Sequence, residues 1–231
     1  MLTNDQIQYL YKFCEKKSVR YYDLQVELVD HLAEAIEQKI QDDSSLSFEN
    51  ALAEVYKGFG IFGFAHVVWD KEAAMLKQYN RKKWKAFKSW FSYPKICITV
   101  LLFLVLNAPP YFLAKVIPLD VYYTIVCLGA ALTGIGLMIY SAKKYKRPEK
   151  KLLMLQPSCS FGVFGALLQF PNLYYHGIKA IGLSASYNLG LNMLISAFCL
   201  FLILITLALY KTYRNTYREA IERYPAAFIG G

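Results

Sequence analysis

Asp23, Glu27, Asp30, Glu34 and Glu37 follow one another at spacings of 4, 3, 4 and 3 residues in the stretch YDLQVELVDHLAEAIEQKI. On a helix of 3.6 residues per turn this spacing puts all five carboxylates on one face. His31 stands four residues after Glu27 and three before Glu34, so these three side chains can converge. Two carboxylates and an imidazole suit a divalent cation, which makes Glu27, His31 and Glu34 a candidate metal set, although one helix rarely supplies a whole site. The plainer reading of the stripe is a solvated face. A third reading is a docking face for a basic surface, since Asp23 to Glu37 covers about 21 Å of helix. The candidate partner-binding residues are therefore Asp23, Glu27, Asp30, Glu34 and Glu37.

Other chemistry is sparse. The sequence holds no GxSxG, HExxH, Walker loop or GxGxxG, so no cofactor is implied. Cys14, Cys97, Cys127, Cys159 and Cys199 are odd in number, include no CxxC, and four of them fall in apolar runs. They read as buried thiols. His66 and Asp70 form a common i, i+4 pair, and His176 lies in the loop LYYHGIK.

The acidic stripe needs a helix to carry it, and the first 80 residues read as a small helical domain. Thr3 and Gln6 form a capping box opening a helix to about Glu15, with Ile7, Leu10, Tyr11 and Cys14 on its apolar face. The striped helix runs from about Tyr21 to Gln41, with Leu24, Leu28, Leu32, Ala35 and Ile36 lining its other side. Ser47 caps a third helix that stops at Gly58, and a fourth starts near Phe64 and can run to Phe91. Met1 to Lys17 is polar and lacks the apolar stretch of a secretory signal.

After Lys95 the chain becomes apolar runs separated by short charged patches. Four segments have the ~20-residue apolar length that a bilayer core requires: Ile96 to Ala114, Val121 to Tyr140, Leu152 to Phe170 and Leu189 to Tyr210. None contains Asp, Glu, Lys or Arg. Asn107, Pro109 and Pro110 end or kink the first; Gln156, Pro157 and Gln169 make the third the most polar. Sixteen basic residues fall in 81–95, in the loop KKYKRPEKK and after Tyr210, against Lys115 and Lys179 in the two other loops. Basic residues in short loops stay cytoplasmic, so the charge predicts four spans with both termini in the cytoplasm. The +9 net charge belongs to these flanks. It does not point to nucleic acid, because residues 1–80 hold 8 basic against 13 acidic residues.

The fold class predicted is therefore all-α and integral to the membrane. A cytoplasmic helical prefix domain (1–78) that folds separately precedes a basic-aromatic interfacial helix (79–95), four transmembrane helices (96–210) and a cytoplasmic tail (211–231). In the interfacial helix, Trp84, Phe87 and Phe91 share a face, with Trp90 beside it and Arg81, Lys82, Lys83, Lys85 and Lys88 around it. Aromatic residues sit at headgroup level and lysine attracts anionic lipid headgroups. In the membrane, Gly129/Thr133 and Ala130/Gly134 are small-xxx-small pairs, and Gly162 and Gly165 supply small residues to the third span. These six are the candidate helix-packing residues.

The residues Tyr22, Asp23, Glu27, Asp30, His31, Glu34, Ala51, Leu52, Phe59 and Gly60, in a helical block ahead of membrane spans, resemble multi-pass membrane proteins of the Bacteroidetes. More loosely, they are similar to the HAAS or permease-prefix domains that precede membrane spans in bacterial proteins linked to signalling or export. The resemblance implies a bacterial cytoplasmic-membrane location and a regulatory or accessory role. The leading expectation is a non-enzymatic scaffold or accessory subunit acting on a protein partner or a second copy of itself. The alternatives are a transport component or oligomeric channel lined by Asn, Gln and Ser, and an enzyme using the Glu27/His31/Glu34 face. The topology makes a direct prediction: reporters fused after Lys115, Lys146, Lys179 and Gly231 should read outside, inside, outside and inside. An inside signal at Lys179 would mean that the third segment does not cross.

Overall fold

The computed structural model describes residues 1–108, 112, 116–156 and 189–229. Every regular element among them is helical: α1 (Asn4–Lys16), α2 (Tyr22–Asp42), α3 (Phe48–Lys57), α4 (Phe64–Lys88), α5 (Lys95–Asn107), α6 (Leu119–Lys144) and α7 (Leu189–Arg223), with single 3-10 turns at Ser89–Phe91, Leu153–Leu155 and Pro225–Ala227. They divide into two compact units. The first gathers Met1–Gln78, Arg147–Gln156 and Thr216–Gly231; the second gathers Tyr79–Lys146 and Pro157–Asn215.

Local chemistry sets the helix ends of the first unit. Thr3 Oγ1 accepts from the Gln6 amide at 3.3 Å while the Thr3 amide donates to Gln6 Oε1 at 2.8 Å, the capping box expected from the sequence. α1 ends where Ser18 takes φ +67°, letting the Val19 amide reach back to the Cys14 carbonyl at 3.1 Å. Ser47 Oγ caps α3 through the Asn50 amide. Gly63, at φ +51°, leads the chain into α4, and a Cβ there would lie 2.4 Å from the Tyr56 hydroxyl oxygen. α2 carries the centre of the core: Leu24, Leu28, Val29, Leu32 and Ile36 bury against Leu10 and Cys14 of α1 and Ala51 and Leu52 of α3. Burial pushes the Cys14 thiol up to about 11, which keeps it an inert thiol at neutral pH. Edge-to-face contacts among Phe13, Tyr56, Phe59 and Phe64, at 4.9 to 5.2 Å, close the α1–α3–α4 corner.

This unit is larger than the 1–78 domain read from the sequence. Leu153 belongs to its core cluster, and Leu152, Ala220 and Ala227 form a second cluster with Tyr22, Met154, Leu155, Tyr224 and Phe228. Leu152 and Leu153, read as the start of the third span, are thus buried in a protein core, with Met154 and Leu155 packed partly against it. The leucines satisfy their apolarity against side chains of the first unit. The rest of that segment, 157–170, lies outside the described residues. The expected tail also changes character. α7 runs 35 residues to Arg223 with no break at Tyr210, because Lys, Arg and Glu continue a helix as readily as Leu does.

Val121–Ser141 of α6, in the second unit, and Met193–Arg223 of α7, whose last turns from Thr216 belong to the first, are long and apolar enough to cross a membrane. α5 alone is short, about 20 Å at 1.5 Å per residue, and ends at Asn107. It qualifies as a span only together with α4, from which it bends by 78°. Thr99 Oγ1 donates to the Trp90 carbonyl at 2.8 Å and fastens α5 to the preceding turn. The Tyr123 hydroxyl meets Ser196 Oγ at 3.1 Å, Cys127 and Cys199 sulfurs lie 3.7 Å apart, and Ala131 packs on Leu202, so α6 and α7 share a line of small and polar contacts.

Candidate functional site

The structure spreads the acidic stripe over several roles. Asp23, in the first turn of α2, is 2 % exposed. Its Oδ1 accepts from the Leu153 amide and its Oδ2 from the Met154 amide, both at 3.0 Å, across 130 residues of sequence. The exchange is reciprocal. The Tyr22 amide, one of the donors that a helix N-terminus leaves unpaired, donates to the Lys151 carbonyl at 2.8 Å. A carboxylate beside a helix N-terminus is also favoured by the helix dipole. Around this pair, the Tyr21 hydroxyl donates to Gln156 Oε1 at 2.6 Å and Lys150 Nζ sits 4.2 Å above the Tyr22 ring. The C-terminal segment closes the other side. The Glu149 amide donates to the Ala227 carbonyl at 2.9 Å, and Tyr224 meets Tyr22 edge-on at 6.5 Å. Burial, with the charge of Asp23 next, raises the Tyr224 phenol above its ordinary value.

The remaining carboxylates divide in two. Glu27 pairs with Lys71 of α4, and Glu37 Oε1 accepts from the Leu2 amide at 2.6 Å with the chain's amino terminus 3.9 Å away. Asp30, His31 and Glu34 are exposed. The charge repulsion expected of five aligned carboxylates is thus relieved at three positions by α4, by the start of α1 and by the 147–156 segment. Glu27 faces a lysine, and among the described residues no three His, Cys, Asp or Glu side chains group closely enough to hold a metal ion. His66 and Asp70 form an exposed pair at 3.1 Å.

Of the basic-aromatic residues, Phe87 is buried against Leu200, Leu204, Ile205 and Ala208 of α7 and stacks edge-on with Phe201 at 5.3 Å. Trp84 and Phe91 flank it at 5.4 and 5.5 Å and stay about half exposed, while Trp90 packs partly against the same cluster. Arg81, Lys85 and Lys88 are exposed; Lys82 and Lys83 are half-buried. The small-residue pairs part company. Ala130 packs beside Ala131 and Leu202, and Gly134 is buried. Gly129 and Thr133 are exposed, with the Thr133 hydroxyl donating back to the Gly129 and Ala130 carbonyls. Gly162 and Gly165 lie outside the described residues.

Sequence reasoning missed Leu153 and Met154 as partners of Asp23, and Lys151 and Tyr224 as partners of Tyr22. A buried acceptor is held by charge-assisted bonds to amides that carry no side-chain signature, so nothing local marks the pair. Their strength sets a prediction. Two such bonds contribute on the order of 3 kcal/mol, so Asp23→Ala should open the 147–156 segment and raise the rate of tryptic cleavage after Lys150 and Lys151 about 100-fold, with Asp23→Asn intermediate. Unchanged cleavage in both variants would show that Asp23 does not hold the segment.

Comparison of the chain with known protein families, with curated proteins and with solved structures finds no match.

Proposed function

We propose that this chain is a non-enzymatic, multi-pass membrane protein of the bacterial cytoplasmic membrane, a regulatory, scaffold or accessory subunit whose helical cytoplasmic unit engages a protein partner. The observation that carries the reading is the make-up of that unit from three separate stretches, 1–78, 147–156 and 216–229. A folded unit cannot be divided by a bilayer, so all three stretches share one side. The chain must then cross an even number of times between 78 and 147, and again between 156 and 216. α6 supplies one member of the first pair, and the apolar sequence of 96–114 has the composition for the other. α7 supplies one member of the second, and the apolar sequence of 157–170 has the composition for the other. Four spans with both termini inside follow, in accord with sixteen basic residues in the inner segments against two in the outer loops.

The same construction favours regulation over anchoring alone. Residues 147–156 begin three residues after α6 ends, and α7 runs on into the C-terminal stretch, so the chain joins both membrane helices directly to the cytoplasmic unit. A partner bound to that fold can sense their position, and the prefix resemblance points the same way. The face left for a partner is the exposed part of the stripe, Asp30, His31 and Glu34. Asp30→Lys with Glu34→Lys should leave Cys14 buried and the unit folded, because neither side chain enters the core. The wild-type chain, cross-linked in its native membrane, should yield one stoichiometric protein partner, and this double variant should lose it at least tenfold. Equal recovery of the partner by a folded double variant would exclude this face, and a wild-type chain with no stoichiometric partner would overturn the reading.

A further inference from the structure

α4 is apolar on two opposite sides, and the core of the first unit uses only one of them. Val67, Val68 and Met75 pack partly against that core, and Lys71 pairs with Glu27 of α2. On the far side, Ala65, Trp69, Ala73 and Leu76 recur at spacings of 4, 4 and 3 residues, which places them on one face. All four are exposed, Trp69 by 63 % and Leu76 by 42 %. The turn just ahead of the helix adds larger side chains. Gly60 and Gly63, at φ +73° and +51°, bend it tightly, and the Gly63 amide donates to the Gly60 carbonyl at 3.2 Å. Between them Ile61 is 100 % and Phe62 71 % exposed. A helix on the surface of a soluble domain needs one apolar stripe, so a second, exposed one marks a contact surface.

The course of α4 says what covers that surface. The helix runs unbroken to Lys88. Phe87 stands five helical turns after Trp69 and so on the same face, and it is buried there against the apolar stretch of α7 at Leu200 and Leu204. Phe64–Phe91 bends by 78° from α5, so a chain that carries α5 into a bilayer lays α4 along the bilayer surface. Lys77, Arg81, Lys85 and Lys88 are exposed on α4, and no acid falls between Glu72 and Asp120. Cations around an apolar helix face suit anionic headgroups, whereas a second copy of the same face would set cation against cation.

We infer that the outer face of α4 from Ala65 to Leu76, with Ile61 and Phe62, binds the phospholipid headgroup region of the inner leaflet. The apolar side chains enter the boundary between headgroups and acyl chains, and the lysines and Arg81 reach the phosphates. The basic-aromatic segment 79–95 is then the second half of a longer amphipathic surface that begins in the first unit. The inference rests on the membrane reading above and deepens it, because it gives the first unit a lipid contact of its own.

The chain has three tryptophans, Trp69, Trp84 and Trp90, so Trp84→Phe/Trp90→Phe leaves Trp69 as the sole reporter in the full chain. The probe is a vesicle of phosphatidylglycerol and phosphatidylcholine. There Trp69 should emit at a shorter wavelength than indole in water. It should also lose roughly half its emission to acyl chains brominated near their headgroup end, because an interfacial helix buries its apolar face about 5–10 Å deep. Unquenched emission at the wavelength of indole in water, from a chain that floats with the vesicles, overturns the surface and leaves the membrane reading standing. Short-wavelength emission that brominated lipid does not quench assigns the face to a protein contact and overturns the lipid. A chain that does not float with the vesicles overturns the membrane reading itself. Should the double variant fail to fold, the wild-type chain in vesicles carrying a photoactivatable phospholipid decides. Adducts on the tryptic peptide 58–71, which holds Ile61, Phe62 and Trp69, support the surface, and their absence there overturns it.

Discussion

A buried carboxylate has few ways to exist, and Asp23 takes one of them. It sits at the head of α2, where the helix dipole favours negative charge, and each of its oxygens receives a backbone amide from residues 153 and 154. Removing those amides would leave a desolvated charge in a core, and removing Asp23 would leave two buried N–H groups unpaired. The contact is therefore hard to half-form. It fixes where residues 147–156 go, and through Glu149 and Ala227 it fixes the C-terminal segment as well. Tyr22 is the neighbour that joins the layers: its amide holds Lys151, and its ring meets Lys150 and Tyr224.

In the proposed membrane reading, local folding and topology are linked by this contact. Segments separated by apolar helices return to one small core, and under that reading the return sets an even number of crossings between them. Charge asymmetry in loops supports the same proposed topology by a separate physical route, the preference of lysine and arginine for the cytoplasmic side. The proposed regulatory role draws on the same economy. Helices joined to a folded domain by a few residues, or running on into it, can transmit displacement to it without a long linker.

Much of the helical skeleton was legible because its signals are local. Thr3 with Gln6, Ser47 and Gly58 mark helix ends within a turn of themselves, and the apolar periodicity of α2 identifies its buried face within one helix. The apolar run from Val121 also reads correctly, since α6 contains it whole. Non-local partners were not legible. Asp23 shares its spacing with Glu27, Asp30, Glu34 and Glu37, and only an amide 130 residues away separates it from them. Leu152 and Leu153 have the same hydropathy whether they face lipid or a protein core. The residues after Tyr210 looked like a charged tail because charge was read as a boundary, yet the backbone of α7 passes through it unchanged.

The central claim is that residues 147–156 belong to the fold of the first unit and are held there by Asp23. The most direct measurement is amide hydrogen exchange at Leu153 and Met154 in the full chain reconstituted in lipid. These two amides should exchange far more slowly than unstructured peptide, on the same timescale as the core amides of α2, because they are released only when the unit opens. Exchange at both positions as fast as in a free peptide would mean that the carboxylate is not their acceptor, and that the three stretches do not form one unit.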